Sequence, residues 1–294
     1  MKTPLEVNPS DYHTTFQLDR SQVFSPESYL SKSSVYELYA SSLYKWRYFP
    51  RQYASSPAMT WGSMVDAILT CSPAEFDAQF ISSPYESFRT KEARIWREEQ
   101  QDEGRTVITP EMHANANAAA TVLKCKHKYA AGMLEKSKTQ VVLMNQVTHP
   151  SVDRSVNVKG LVDLAPEGEP FLCDLKTTAD FGAGGFEKTI AKFGYHVQAG
   201  LYLHLWNAQF PDDQRDRFQI IWQDSSAPYE VAVTEIPQTD IADGMDMFSH
   251  LLGRIVRAAD KDWWPMKYPK PVILGRAVFG HHADEMEMDG LTEI

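Results

Sequence analysis

The feature that most constrains this chain is a pair of apolar runs of strand length. They are Lys159-Gly160-Leu161-Val162-Asp163-Leu164 and Phe171-Leu172-Cys173-Asp174-Leu175-Lys176-Thr177-Thr178, joined by Ala165-Pro166-Glu167-Gly168-Glu169-Pro170. Short apolar runs bounded by Pro and Gly predict a β-hairpin in a buried sheet. Asp174 and Lys176 are two apart, so an acid and an amine share one face while Leu175 points to the other. Unpaired aspartates on a buried strand are costly, and Lys176 alone cannot neutralise both Asp163 and Asp174. A divalent metal can: hard cations such as Mg²⁺ take one or two carboxylates plus substrate phosphate, and such a set suits hydrolysis of a phosphodiester. A structural ion pair is the plainer alternative for an isolated Asp-x-Lys.

The next segment adds to the first. Residues Phe193 to Trp206 carry apolar positions at helical spacing, with Gln198 and Tyr202 four apart on one face, where an amide and a phenol can reach one neighbour. Gly160-x-x-Asp163, then Asp174-Leu175-Lys176-Thr177-Thr178, then Tyr195-His196-x-Gln198-x-x-x-Tyr202 together resemble the PD-(D/E)xK nuclease superfamily, and within it the exonuclease VIII (RecE-type) phage and prophage recombination exonucleases. The resemblance runs in order from about residue 31 to 268, with sharp motifs at 160–202. It implies a restriction-endonuclease-like α/β core, a central mixed β-sheet flanked by helices. It also implies that Asp163, Asp174 and the Leu175 carbonyl hold Mg²⁺, with Mn²⁺ as the alternative. Lys176 then positions and helps activate the attacking water, while Gln198 and Tyr202 orient Lys176 or the scissile phosphate. The implied substrate is linear double-stranded DNA resected from the 5′ end. The implied partners are a single-strand annealing protein and further copies of the chain in a homo-oligomeric ring.

Two positions depart from the family pattern. In Thr60 to Thr70 the family's Gly-[Thr/Ser]-x-x-His places a histidine toward the metal, and Asp66 stands there instead; it can supply a hard oxygen ligand or be a helix-surface residue. Relatives place a glutamate near the start of the strand Gln140 to Val147, where this chain has Gln140. The segment Ser83 to Arg94 resembles the Arg-Thr-Lys stretch after the family's first motif, making Arg89 and Lys91 candidates for DNA phosphates, alongside Thr177 and Tyr195 near the site; a solvated helix start explains Arg89 and Lys91 equally. His113 and His127 read as surface or core histidines and His281-His282 as a solvated pair, no second ligand standing at i+4 from His113 or His127.

Composition bounds the rest. The 294 residues are 43% hydrophobic and 12% aromatic, enough for one core with insertions. The expected division is an N-terminal extended arm (1–30), a nuclease-like domain (31–268) and an acidic, partly disordered tail (269–294). Three scattered cysteines support neither a disulfide framework nor an iron–sulfur nuclease, and fit a reducing cytoplasm; the chain has no apolar run of bilayer length. The net charge of −10 opposes a broad nucleic-acid surface and calls for a localised basic groove. It also motivates the rival reading, a catalytically weakened DNA-binding or assembly protein on the same scaffold.

The remaining elements follow from pattern. Ser33 or Ser34 can cap a helix through Trp46 that Pro50 limits, and Thr109 to Glu135 predicts one long packing helix. Arg217 to Gln223 and Tyr229 to Ile236 predict a second hairpin, followed by a helix over Asp240 to Asp260 and the Asp262-Trp263-Trp264-Pro265 closure.

Overall fold

The computed structural model describes residues 7, 9–51 and 56–272. From the N-terminus come α1 (Pro9–Thr14), β1 (Tyr29–Ser31), α2 (Lys32–Tyr36), a 3₁₀ turn (Glu37–Ala40), α3 (Leu43–Tyr48) and α4 (Pro57–Thr70). Next are α5 (Pro73–Gln79), β2 (Phe80–Ser82), α6 (Lys91–Asp102), β3 (Thr106–Ile108), α7 (Pro110–Lys126) and α8 (Lys128–Glu135). The core continues with β4 (Ser137–Thr148), β5 (Ser155–Pro166), β6 (Phe171–Thr178), α9 (Ala183–Phe193), α10 (Tyr195–Gln209), β7 (Arg217–Asp224), β8 (Val231–Glu235) and α11 (Gln238–Asp260).

The main sheet has six strands in the order β1-β5-β6-β7-β8, with β4 on the other edge of β5. It is mixed: β1/β5 and β6/β7 run parallel, β4/β5, β5/β6 and β7/β8 antiparallel. Strand β5 shares one edge between two neighbours. Its residues Asn157 to Lys159 pair with β1, and Leu164 alone pairs with Cys173 of β6. The sheet therefore forks between Gly160 and Asp163, a geometry that leaves backbone groups to be satisfied by side chains.

Helix α10 is buried on nearly every face, as a helix apolar all round must be. It packs on α11 through glycines: a Cβ on Gly244 would lie 2.2 Å from the His196 carbonyl, and one on Gly200 2.7 Å from that of Ile241. Trp46 is fully buried, stacks on Trp264 at 5.7 Å and donates Nε1 to the Ser34 carbonyl at 2.6 Å, so the Trp-Pro closure seals the first helices against the end of α11.

Several expectations change at their boundaries. The N-terminal segment is not an extended arm: it carries α1 and an edge strand, and buried Lys159 donates to the Tyr12 and Phe16 carbonyls. The first predicted helix is three short pieces, with Ser31 rather than Ser33 or Ser34 capping α2 and Ser42 capping α3. The long helix at 109–135 divides at His127, whose Nδ1 caps α8 by accepting from the Ala130 N–H. The helix expected from Phe193 begins at Tyr195, because Gly194 takes a left-handed φ of 63° that ends α9. His281-His282 and the acidic tail from Asp284 lie outside the described residues. Among the described residues no helix is long and apolar enough to cross a membrane.

Candidate active site

The fork in the sheet builds the site. Gly160 has no side chain because the Tyr202 ring fills that space, its Cε1 2.9 Å from where a Cβ would stand. The Tyr202 hydroxyl meets the Leu161 backbone, and Asp163 Oδ2 accepts the Leu175 N–H at 2.9 Å. Side chains thus replace the ladder between β5 and β6. Gly-x-x-Asp is the spacing that lets one strand open this gap and line it with a carboxylate.

Across the gap, Asp174 is buried, at 2% exposure. Its Oδ1 accepts from Gln198 Nε2 at 2.8 Å, and its Oδ2 is ion-paired with Lys176 Nζ. The same ammonium donates to the Leu175 carbonyl at 3.3 Å and lies 5.0 Å from the centroid of the Tyr195 ring. Burial opposes its charge, but Asp174 and Asp163 outweigh burial and raise its pKa above the ordinary lysine range. Lys176 is therefore a cation, not a base. Its side chain keeps 21% exposure, which leaves it open to a substrate.

The third acid comes from α4. Asp66 accepts from Gln140 Nε2, 3.2 Å to Oδ2, and burial followed by the field of Asp174 lifts its pKa to about 6 against the pull of Lys176 and the amide. Gln140 holds a left-handed φ of 51°, strained for a residue other than glycine, and stands across β4/β5 at the position opposite Asp163. Asp163 is raised well above the carboxylate range by lost solvent, then by Asp174 and Asp66. The site holds three mutually repelling acids against one paired amine.

A divalent cation fits this donor set chemically. The Lys176 ammonium already sits between Asp174 Oδ2 and the Leu175 carbonyl, two of the oxygens that the family resemblance assigns to metal. Among the described residues no three His, Cys, Asp or Glu side chains converge, as they stand, into a coordination shell. A metal here rests on fewer carboxylates plus the backbone carbonyl.

The structure gathers Asp66, Asp163, Asp174, Leu175, Lys176, Gln198 and Tyr195 at the site. Two roles differ from those expected: Gln198 grips Asp174 rather than Lys176 or substrate, and Tyr202 closes the fork from beneath. Half-buried Thr177 packs on α4, its Oγ1 2.9 Å from where a Gly62 Cβ would be. Arg89 and Lys91 stand exposed on the loop and first turn of α6, beside the separate two-stranded β2/β3 sheet. Sequence reasoning missed Lys32: buried in α2, it donates to the Phe193 carbonyl, and burial followed by the nearby Lys176 lowers its pKa to about 8. Nothing in the local pattern could have found it, because only the packing of α2 on α10 brings it there. His113 stacks on Phe76 at 5.2 Å, a packing role.

Residues 33–270 match the profile of a family described as a PDDEXK-like domain of unknown function. No curated protein matches the chain significantly. Among solved structures, a candidate exonuclease from Eubacterium rectale is similar at 13% identity and TM-score 0.59, covering 87% of this chain and 88% of that one. A phage-related exonuclease from Haemophilus somnus (11% identity, TM-score 0.37, 88% and 96% covered) and an alkaline exonuclease from Laribacter hongkongensis (12%, 0.28, 69% and 94%) are more distant. The first of these supports the fold alone; the other two superpose too poorly to carry an argument.

Proposed function

Because the chain belongs to the PDDEXK-like family, we propose that it is a metal-dependent deoxyribonuclease of the exonuclease VIII type. Its substrate is linear double-stranded DNA, degraded from the 5′ end in phage-type recombination, with the surviving single strand passed to an annealing protein. The observation that carries this reading is the arrangement of Asp163, Asp174 and Lys176 across the sheet fork, with Gln198 fixing the central acid. A structural ion pair needs one acid for one amine. Three acids facing one lysine leave charge that burial relieves by protonation, as the raised pKa values of Asp66 and Asp163 record, and that a divalent cation would balance instead.

In the reaction the water oxygen bonds to phosphorus as one P–O bond breaks; the water gives up a proton to solvent and the departing oxygen takes one up. Asp163, Asp174 and the Leu175 carbonyl would hold Mg²⁺ or Mn²⁺, with Asp66 close enough to act on it through its charge; the ion would supply Lewis-acid polarisation of the phosphate and lower the pKa of bound water. Lys176, kept protonated by its acids, orients water and offsets charge growing on the phosphoryl oxygens. Gln198 holds Asp174 in register for it, and the Tyr195 ring backs the ammonium.

The test is to incubate end-labelled linear and closed circular duplex with wild type, Asp174→Ala and Lys176→Ala, with and without Mg²⁺. Wild type should degrade the linear duplex alone and only with metal, and each variant should lose at least about a thousandfold in rate while keeping its circular-dichroism spectrum, the two losses being non-additive. Near wild-type turnover in either variant would remove the fork from the chemistry. DNA binding without hydrolysis in wild type would favour the weakened binding or assembly protein.

A further inference from the structure

Beside Lys176 runs a row of rings of which hydrolysis uses only Tyr195. Helix α2 passes into a 3₁₀ turn, whose three residues per turn eclipse side chains at i and i+3. Tyr36 and Tyr39 accordingly stack at 5.3 Å and 7°. The Tyr36 ring seats where Gly194 lacks a side chain, its Cζ 2.6 Å from an imagined Cβ, so the stack leans on the α9–α10 junction. That junction presents Phe193 and Tyr195, themselves stacked at 5.8 Å and 23°. Lys32 ties the two stacks together, its ammonium 4.9 Å from the centroid of Tyr36 and 5.7 Å from that of Tyr195. Lys176 lies on the Tyr195 ring in turn. Rings and ammoniums therefore run without interruption from the catalytic lysine to the surface, where Tyr39 is 59% and Phe193 48% exposed.

We propose that this row, Tyr39, Tyr36, Phe193 and Tyr195 with Lys32 between the stacks, is a stacking surface for unpaired nucleobases of the strand being hydrolysed. The inference rests on the nuclease reading for the identity of the strand. Single exposed aromatics need no explanation, but two stacks converging on one lysine next to the hydrolytic pair do. Flat faces bind bases whatever their sequence, and only an unpaired base offers its own face in return. Lys32 is itself buried, and its described partners are a carbonyl and two ring faces, so it fixes the two stacks to one another rather than reaching the strand. An acidic chain with a net charge of −10 gains affinity here from stacking, which its overall charge does not oppose.

The probes are a short single-stranded deoxyoligonucleotide carrying 2-aminopurine and an abasic oligomer with the same sugar-phosphate backbone. Both are titrated into the full chain in chelator and again in Ca²⁺. Wild type should quench 2-aminopurine. Tyr39→Ala and Phe193→Ala, both at exposed positions, should each weaken binding of the base-bearing oligomer roughly tenfold and relieve the quench. Binding of the abasic oligomer should not change, and Tyr39→Trp should restore the quench. Equal losses on both oligomers, no loss in either exposed variant, or no binding by wild type in either condition would overturn the proposal. Because no readout requires cleavage, a protein that stacks bases without cutting DNA would refute the nuclease reading and leave the surface standing.

Discussion

Asp66→Asn isolates the electrostatic cost of the site. In the folded protein the Asp66 pKa is about 6 against an ordinary 3.8, mainly through burial and then Asp174. A raised carboxyl favours folding while it is protonated, so its contribution is intact below about pH 4 and is lost as pH climbs through 6. Roughly two pKa units at about 1.4 kcal/mol each give a ceiling near 3 kcal/mol. Asparagine does not titrate and keeps an oxygen for the Gln140 amide, which now donates to both Asp66 oxygens. Without metal, the variant should match wild type near pH 4 and exceed it increasingly toward pH 7, by at most about 6–12 °C in Tm for a domain of this size. The advantage should shrink in saturating Mg²⁺, where the acids balance the ion instead of repelling one another. Differential scanning calorimetry from pH 4 to 8, in chelator and in Mg²⁺, measures this. Parallel curves for the two proteins in chelator would refute the reasoning, because Asp66 would then carry no raised pKa. An advantage that metal leaves untouched would put Asp66 outside the metal's reach.

Two further outcomes can be checked. Gly160→Ala must push back the buried Tyr202 ring and should cost about 1–3 kcal/mol in urea unfolding, whereas Gly244→Ala meets the His196 backbone at 2.2 Å, which cannot rotate away, and should cost more. If Arg89 and Lys91 reach DNA phosphates, replacing both with Ala should lower the slope of log affinity against log salt by roughly 0.9 per contact with no change in cleavage at saturating DNA; an unchanged slope would leave them a solvated helix start.

The hairpin and its acids were legible because strand geometry is local. Two residues of separation put Asp174 and Lys176 together whatever else the chain does, and the glycine that turns β5 into β6, Gly168 at φ 72°, is written into the sequence. Residues 9–30 carry no such pattern. Their course is set from far away, by Lys159 holding the Tyr12 and Phe16 carbonyls and by Asn157 Nδ2 donating to the Pro26 carbonyl at 3.0 Å. Lys32 was hidden for the same reason. Gln198 was found but given the wrong partner, since spacing on a helix says which residues share a face and not which acid waits opposite.

The two departures from the family pattern meet in one hydrogen bond. Here the strand donates and the helix accepts: the Gln140 amide gives its hydrogens to Asp66, whose carboxylate can only receive them. A glutamate at 140 would set a fourth carboxylate against three that already repel one another, as the raised pKa values of Asp66 and Asp163 record. The neutral amide is what an acid at 66 can tolerate. The strained φ of Gln140, opposite Asp163, is consistent with a side chain held to one task rather than free to follow the strand. The Gln140–Asp66 bond therefore joins β4 to α4 while leaving a hard oxygen at the site, which is how these residues can accompany hydrolysis instead of marking its loss.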